Sequence, residues 1–302
     1  MNKNVLITGA SGLIGHRLTE LLWERGYRIA HLSRTARSGK AKTFLWDISK
    51  DQINNESLRP TDAIIHLAGE SIGGKPWTRN RKNEILKSRT HSTWLLYEEL
   101  KKGNHNVKTF VSASGIGYYG PDNKDEDFNE PDEQGKGFLA EVVHQWEEFV
   151  DQISRLGIRV VKIRTGVVLS EKGGALKELM KPVKFYVGAP LGKGTQVLSW
   201  IHLDDLCRIY IKAVEDESME GVYNAVSPHP VTNRDFTYSL AKAMGRPIIL
   251  PPIPSVVLKL LLGEMSDLVL TGPKVSSRKI KAAGFKFEFE SLDTALADLL
   301  GK

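Results

Sequence analysis

One stretch near the start of the chain constrains the fold more than any other. It reads Thr8-Gly9-Ala10-Ser11-Gly12-Leu13-Ile14-Gly15, after the apolar residues 5–7 and before apolar residues at helical spacing. Glycines between a strand and a helix allow a tight turn, and the free N–H groups of the helix start favour a pyrophosphate. An ordinary strand-to-helix turn is the alternative. The context predicts a Rossmann-type domain that binds a dinucleotide through Gly9, Ser11, Gly12, Leu13, Ile14 and Gly15.

Short apolar segments alternate with helix-like segments along the first half. Strands are predicted at residues 5–8, 28–32, 43–46, 62–67, 108–112 and 159–163, and long helices at 80–102 and 138–153. Such alternation is typical of βαβ units around a parallel sheet. Later helices are predicted at 203–215, 233–244, 255–262, 274–283 and 291–300, and residues 171–196 are interpreted mostly as loop and short helix.

These elements predict an α/β fold with a Rossmann-type, doubly wound parallel sheet. The dinucleotide-binding domain is expected to cover residues 1–170, with further sheet elements around 197–226. A smaller, mostly helical substrate region is expected over residues 171–302.

The segment after the second predicted strand indicates which dinucleotide binds. An NAD site usually carries an acid at the end of this strand, bonded to the ribose 2′-hydroxyl. No Asp or Glu occurs in residues 27–46, whereas Arg34, Arg37 and Lys40 crowd this place. A charge-assisted hydrogen bond contributes about 1.5–3 kcal/mol. We therefore expect NADP(H), with Ser33 and Arg34 contacting its 2′-phosphate. A solvated basic loop is the alternative.

Composition gives little support to other classes of protein, such as nucleic-acid-binding, disulfide-rich or membrane-spanning proteins. The 302 residues are 41% hydrophobic and 26% charged, as in globular proteins. A net charge of +6 without an evident basic face gives little support to a nucleic-acid partner. The single cysteine, Cys207, excludes an intramolecular disulfide and is interpreted as a buried thiol. The apolar residues 255–263 are too few to span a bilayer and include Lys259. We expect a soluble, cytoplasmic protein without a membrane partner or a metal.

Further motifs follow one another along the rest of the chain. They are His66-Leu67-Ala68-Gly69, residues 112–120 (SASGIGYYG), 164–169 (RTGVVL), 192–196 (GKGTQ), 199–205 (SWIHLDD) and 224–233 (NAVSPHPVTN). With the G-x-x-G-x-x-G spacing of the first loop, they resemble the extended short-chain dehydrogenase/reductases. Within these the chain is similar to an epimerase-like atypical branch that has its own C-terminal helical extension. The resemblance covers nearly the whole chain.

The resemblance implies further cofactor contacts. They are Asp47 at the adenine amino group and Leu67, Ala68 and Gly69 along the phosphate and ribose. A close relative group retains W-T, a Glu and then S-R in the next helix, which match Glu84 and Arg89, with Arg89 near the phosphates. His66 lies between apolar neighbours and is interpreted as a core histidine.

The resemblance also implies a catalytic serine after the fifth strand. Ser114 is the best match, and a serine there would hydrogen-bond a substrate hydroxyl or carbonyl. The Tyr-x-x-x-Lys pair of the superfamily is missing, because Phe138 and Val142 occupy its positions and neither can transfer a proton. Tyr118 is therefore the candidate proton donor. A structural role for Tyr118 stays open, as do Glu141 or a group from the second half as the proton donor.

Two other patterns are interpreted as structural. A catalytic Tyr-x-x-x-Lys pair would lie between the serine and the sixth strand. The spacings at residues 97–101 and 238–242 lie outside this interval, so they are interpreted as chance matches. In the H-x-D stretch, Asp204 is expected to cap a helix beside His202.

The function expected from these observations is that of an NADP(H)-dependent oxidoreductase or nucleoside-diphosphate-sugar epimerase acting on a small polar substrate. Hydride would move to or from C4 of the nicotinamide. The missing Tyr-Lys pair keeps a catalytically silent NADP(H) sensor or scaffold open. RNA binding rests only on the basic residues of the helix that includes residues 79–89. The resemblance is compatible with a homodimer.

Overall fold

Most residues of the main sheet lie before residue 166. The computed structural model describes residues 3–36, 39–121 and 126–301. Of the basic residues predicted near the 2′-phosphate, Arg34 and Lys40 are described, and Arg37 lies outside the described residues. The strands are β1 (Asn4–Thr8), β2 (Arg28–Ser33), β3 (Lys42–Asp47), β4 (Gln52–Ile53), β5 (Ala63–His66), β6 (Thr109–Gly115), β7 (Arg159–Thr165), β8 (Val167–Leu169), β9 (Val197–Leu198), β10 (Trp200–His202), β11 (Gly221–Ala225) and β12 (Val231–Thr232).

Helices connect and cover these strands. They are α1 (Leu13–Glu24), α2 (Arg79–Lys101), α3 (Phe138–Ser154), α4 (Gly174–Lys184), α5 (Leu203–Glu215), α6 (Asn233–Met244), α7 (Ser255–Leu262), α8 (Asp267–Leu270), α9 (Arg278–Ala282) and α10 (Leu292–Leu299). Of the helices that the structure describes, none is long and apolar enough to cross a membrane.

The main sheet has eight strands in the order β11-β7-β6-β5-β1-β2-β3-β4. All neighbours pair in parallel except the short edge strand β4, which runs antiparallel to β3. The order reverses at β1, which pairs with β2 on one side and β5 on the other. Such a reversal opens a crevice at the carboxyl ends of the strands, where ligands bind in open α/β sheets. The predicted fold class is confirmed.

Both faces of the sheet are buried. Val5 and Ile7 of β1 pack with residues of α1 and α5, whereas Leu6 packs with residues of α2 and α3 on the opposite face. The side chains of a strand alternate between faces, so a strand covered on both sides reads as a continuous apolar run. This packing explains why the run at residues 5–7 is apolar without a break.

The second half forms a separate hydrophobic cluster on residues of β8, β10, α4, α6 and α10. Helices α5, α6 and α7 have the predicted bounds, and α4 lies in the segment interpreted as loop and short helix. The helix predicted at 274–283 is shorter, because α9 begins only at Arg278. Strand β11 joins the main sheet beside β7.

Candidate active site

The loop between β1 and α1 depends on its glycines for steric reasons. Gly9 has φ +68°, and a Cβ atom there would lie 2.7 Å from the carbonyl carbon of Leu67. A Cβ on Gly15 would lie 2.5 Å from the carbonyl oxygen of Gly9, which also accepts a hydrogen bond from the Gly12 N–H at 3.0 Å. Larger residues at Gly9 and Gly15 would therefore displace backbone. The loop keeps its backbone close to the end of β5.

The start of α1 offers unpaired N–H groups. Gly12, the residue before the helix, has extended backbone and no side chain that could cap it, and the first turn contains no acidic residue. The first N–H groups of a helix have no partner within it, and the helix dipole places partial positive charge there. Leu13 and Ile14 therefore begin a helix whose N-terminus fits the phosphates of a dinucleotide.

His66 joins the carboxyl ends of β1 and β5. Its Nδ1 lies 2.8 Å from the hydroxyl of Thr8, and its Nε2 lies 3.2 Å from both hydroxyls of Ser92 and Thr93. The Thr8 hydroxyl also accepts hydrogen bonds from the N–H groups of Leu67 and Ala68. Burial lowers the pKa of His66 to about 3, so the ring is neutral. The interpretation as a core histidine is confirmed.

Arg89 places a cation beside the glycine that follows β5. Its guanidinium carbon lies 3.2 Å from the position of a Cβ on Gly69. The same group donates to the carbonyl of Ile85 and lies 5.3 Å from the ring centre of Trp146. Among the described residues, no carboxylate lies within 4.0 Å of it, and burial lowers its pKa to about 10. The charge of Glu70, which makes no direct contact with Arg89, partly opposes this lowering of the pKa. An arginine that is desolvated and has no direct carboxylate contact is suited to an anionic ligand.

Glu70 connects Arg34, which directly follows β2, with Arg81 of α2, and sequence reasoning missed it. Its carboxylate lies 3.1 Å from Arg34 and 3.5 Å from Arg81. Glu84 lies 2.9 Å from Arg81, whose other nitrogen donates to the carbonyl of Ser71. The Arg34 side chain is 72% exposed. Glu84 therefore lies in an ion-pair cluster next to Arg34, and an exposed guanidinium there can turn from Glu70 to another anion.

The remaining predicted contacts lie at the ends of β2 and β3. The Ser33 hydroxyl accepts a hydrogen bond from the N–H of Thr35 at 3.4 Å. Asp47 accepts hydrogen bonds from the hydroxyl and N–H of Ser49, and the bond from the hydroxyl contributes most to lowering the pKa of Asp47. Both strands end at the same edge of the sheet as β1, so these side chains lie on the side where the crevice opens.

Ser114 belongs to a buried ion-pair network that the sequence did not reveal. Its hydroxyl donates to Glu147 at 2.5 Å, and the same carboxylate accepts two hydrogen bonds from Arg164 at 2.8 Å each. Burial alone would lower the pKa of Arg164, but the hydrogen bonds and charge of Glu147 raise it above its usual range. The sequence feature that could have indicated this network is Glu147, an acidic residue on the apolar face of α3 between Val143 and Val150.

Arg164 also orders the tyrosines that follow β6. Its guanidinium carbon lies 3.4 Å from the ring centre of Tyr118 and its Nη1 donates to the hydroxyl of Tyr119. Tyr119 donates to Asn224, and burial raises its pKa to about 12. Tyr118 is only partly buried, so it is the more accessible of the two rings.

Helix α3 presents Leu139 and Val143 to the loop that follows Ser114. Cβ atoms on Gly117 and Gly115 would lie 3.2 Å and 3.9 Å from Leu139 and Val143. Phe138 instead packs against Trp77, with ring centres 5.0 Å apart. Leu139 and Val143, which contact this loop, each lie one position after Phe138 and Val142, which the resemblance assigned to the tyrosine and lysine positions. Neither pair, Phe138 and Val142 or Leu139 and Val143, contains a tyrosine or a lysine.

The other candidates from the sequence have structural surroundings. His202, rather than Asp204, caps α5, because its Nδ1 accepts the N–H of Asp204 at 3.1 Å. The Asp204 carboxylate binds Arg17 of α1 with two contacts of 2.7 Å, so the predicted cap was wrong. Tyr238 on α6 is exposed. Cys207 is buried, as predicted, and burial raises the pKa of its thiol.

The sheet order and the glycine loop define a Rossmann-fold protein of the short-chain dehydrogenase/reductase type. The chain belongs to the NAD-dependent epimerase/dehydratase family, whose model matches residues 5–225. Residues 253–299 match a domain of unknown function, DUF1731. An epimerase family protein of Staphylococcus aureus (strain MRSA252) is 37% identical over 305 residues, covering 99% of this chain and 100% of that one. The resemblance to epimerase-like short-chain dehydrogenase/reductases is confirmed.

Solved structures give the same assignment. Human epimerase family protein SDR39U1 (isoform 2), crystallised with NADPH, is 32% identical, with a TM-score of 0.88 and 99% of each chain covered. A nucleoside-diphosphate sugar epimerase from Corynebacterium glutamicum is also 32% identical, with a TM-score of 0.81. That match covers 100% of this chain and 59% of the other.

Proposed function

We propose that this protein is an NADP(H)-dependent oxidoreductase or epimerase that acts on a small polar substrate. The observation that carries the proposal is Arg89, a desolvated cation without a carboxylate partner among the described residues. It lies against Gly69, directly after the strand that pairs with β1. The N-terminus of α1 begins at the same edge of the sheet. Two cationic features without anionic partners fit the pyrophosphate of a dinucleotide.

The proposed cofactor contacts run along the crevice. The backbone of the first loop would hold the pyrophosphate with Arg89, and Ser33 and Arg34 would hold the 2′-phosphate. Further contacts would come from Asp47 at the adenine, from Leu67, Ala68 and Gly69, and from Glu84 through Arg81. The NADPH in the crystals of the human relative supports NADP(H) over NAD(H). Bound NADP(H) supplies a nicotinamide that accepts or donates hydride at C4.

Ser114 and Tyr118 remain the proposed catalytic side chains. A hydroxyl has one proton and two acceptor lone pairs. Because the Ser114 proton goes to Glu147, this serine can accept a hydrogen bond from a substrate hydroxyl more readily than it can donate to a carbonyl. Tyr118 would then supply or remove the proton, and the stacking of Arg164 on its ring would fix its position. We expect the second half of the chain to hold the substrate.

The substrate class follows from the relatives. A nucleotide sugar is the first candidate, since the relative from Corynebacterium glutamicum is named a nucleoside-diphosphate sugar epimerase. RNA binding receives less support, because Arg81 and Arg89 on the basic helix turn inward to Ser71 and Ile85. The homodimer and the cytoplasmic location stay predictions.

A catalytically silent NADP(H)-binding protein is the second candidate. Leu139 and Val143 face the serine loop from α3, and neither can exchange a proton or hold a ribose. In this case the dinucleotide would act as a sensed ligand, and the ordered network around Arg164 would serve stability alone.

Turnover separates the two candidates. The purified protein is incubated with NADPH or NADP⁺ and a panel of carbonyl compounds and nucleotide sugars, and the products are analysed by chromatography, since epimerisation leaves the cofactor unchanged. We expect turnover that falls strongly in Ser114→Ala and Tyr118→Phe but not in the control Tyr238→Phe, which alters an exposed tyrosine. Cofactor binding without turnover of any substrate would favour the silent protein.

A further inference from the structure

Helix α7 leaves most of its apolar surface without a partner. Its sequence is SVVLKLLL, and only Leu258 is buried. Leu260 is 85% exposed and Val256 77% exposed, and Val257, Leu261 and Leu262 are also exposed. Isolated exposed apolar residues are ordinary, but a contiguous group marks an interaction surface. Among the described helices, α7 therefore differs from α1 to α6 and α10, each of which buries two or more apolar side chains.

Two neighbouring loops extend this apolar surface. Residues 185–192 run beside residues 246–253, joined by hydrogen bonds from the Gly192 N–H to Ile253 and from the Ile253 N–H to Pro190. The hydroxyl of Ser255, the first residue of α7, lies next to Gly192. These loops expose further apolar side chains. We call the combined surface the α7 face; it comprises Phe185, Val187, Ile249, Leu250, Val256, Val257, Leu260 and Leu261.

The surroundings of the α7 face carry positive charge. No Asp or Glu occurs in residues 179–203 or 236–263, the two segments that form it. The same segments contain the cations Lys184, Lys193, Lys242, Arg246 and Lys259, besides Lys181, which pairs with Glu178. The other acids at the borders also have partners: Glu264 pairs with Lys82, Asp204 pairs with Arg17, and Asp235 accepts a hydrogen bond from the hydroxyl of Thr232. The α7 face is thus an apolar surface with a cationic rim.

The positive charge around the α7 face indicates what binds there. In a two-fold dimer the same patch faces itself, so two cationic rims would be brought together. A bilayer of anionic lipids offers the opposite charge around an apolar interior, and short helices rich in leucine with basic neighbours lie in such interfaces. We propose that the α7 face binds the surface of an anionic lipid bilayer. The eight residues of α7 would lie along the membrane and are too short to span it.

This proposal departs from the sequence expectation of no membrane partner. That expectation concerned spanning segments, which need about 20 apolar residues. Binding at the interface needs only a shallow apolar insertion together with attraction to the headgroups. The proposal does not depend on the proposed catalytic function, because the α7 face shares no residue with the cofactor contacts.

Co-sedimentation with vesicles tests the proposal on the full chain. Vesicles of equal parts phosphatidylglycerol and phosphatidylcholine are compared with vesicles of phosphatidylcholine alone. We expect binding only to the anionic vesicles, weakened by added salt. Leu260→Glu combined with Leu261→Glu should reduce binding roughly tenfold or more, because burial of two leucines is lost. Since both positions are exposed, these variants should fold.

Two further sets of variants complete the test. Leu45→Glu is the matched control, because Leu45 is an exposed leucine on β3, and it should bind vesicles like the unaltered chain. Lys184→Glu and Lys259→Glu should each reduce binding about fivefold or more. Absence of binding, or equal binding to both kinds of vesicle, would overturn the proposal. So would a concentration-dependent dimer that Leu260→Glu abolishes, since the face would then join two copies of the chain.

Discussion

The first half of this chain buries nearly all of its large apolar side chains, whereas part of the second half leaves such side chains exposed. In the first half, Val5, Leu6 and Ile7 of β1 alternate between two helix-covered faces and are almost fully buried. In the second half, α7 buries only Leu258. Of the thirteen large apolar side chains exposed among the described residues, eleven lie after residue 170. Nearly all large apolar side chains of the first half are thus buried within the chain, whereas most of those of α7 have no partner among the described residues that buries them.

The same contrast holds for polar groups. At the carboxyl edge of the sheet, the backbone of the glycine loop, His66 and Arg164 are fixed by close contacts, so small changes there should have large effects. On the α7 face, side chains project into solvent and should tolerate charge. Substitutions in the two regions therefore test whether the cofactor crevice and the α7 face are independent.

The largest effect is expected at Gly15. Gly15→Ala places a Cβ 2.5 Å from the carbonyl oxygen of Gly9, so the loop must shift. Overpacking of this kind lowers the free energy of unfolding by about 1–3 kcal/mol, and affinity for NADPH should fall with it. Urea unfolding and calorimetry measure both. Gly39→Ala is the control, because a Cβ there meets no atom within 4 Å. Normal NADPH binding by Gly15→Ala would contradict the close approach proposed for this loop.

His66 should make the stability of the first half depend on pH. Its folded pKa of about 3 lies below the ordinary 6.5, so the unfolded chain takes up a proton first as the pH falls. Stability present at neutral pH is therefore lost progressively below pH 6.5, by about 2 kcal/mol at pH 5.

Urea unfolding of His66→Gln at pH 7 and pH 5 measures this contribution. We expect a smaller loss between the two values than in the unaltered chain, whereas His16→Gln, at an exposed histidine, should keep the full loss. An equal loss in both variants would show that His66 is not the buried neutral group described above.

Arg89 distinguishes a ligand-binding cation from a structural one. Arg89→Met should weaken NADPH binding about tenfold or more, the usual loss for a hydrogen bond to a charged group. Without cofactor, the free energy of unfolding should not fall, because the variant removes a desolvated charge that no carboxylate contacts directly among the described residues. Lys87→Met, at an exposed lysine of α2, should change neither quantity. Lower stability with unchanged NADPH affinity would make Arg89 a packing residue.

The smallest effect is expected on the α7 face. Leu260→Glu should leave both NADPH affinity and the free energy of unfolding within about 0.5 kcal/mol of the unaltered chain, as for surface substitutions in general. Calorimetry and urea unfolding again provide the readout. A clear loss of either would mean that α7 packs against the crevice in solution, and the contrast between the halves would be weaker than the structure indicates.

Much of the fold could be predicted because its signals are local. The glycine loop, the apolar strands and the helices α5 and α6 follow from spacing within a few residues. The strands of two or three residues, such as β9 and β12, could not be predicted, because so short a run has no period. The cap of α5 was assigned to Asp204 from the resemblance of the H-x-D stretch, and only the geometry shows that His202 caps the helix.

The candidate site was predictable only where neighbours in space are neighbours in sequence. Glu70 meets Arg34 across 36 residues, and Glu147 meets Ser114 across 33. Neither partner carries a local pattern that points to the other. The contacts of α3 were not predictable for a related reason: aligning Phe138 with a catalytic tyrosine gives a position along the helix but not the face that turns to the sheet.

The central claim, that the crevice binds a dinucleotide bearing a 2′-phosphate, is tested most directly by calorimetric titration with NADPH and NADH side by side. The unaltered chain should bind NADPH at least about tenfold more tightly, and Arg34→Ala should lose most of this preference. Equal or tighter binding of NADH would contradict the role of Arg34, and binding of neither would contradict the assignment of the crevice to a nicotinamide cofactor.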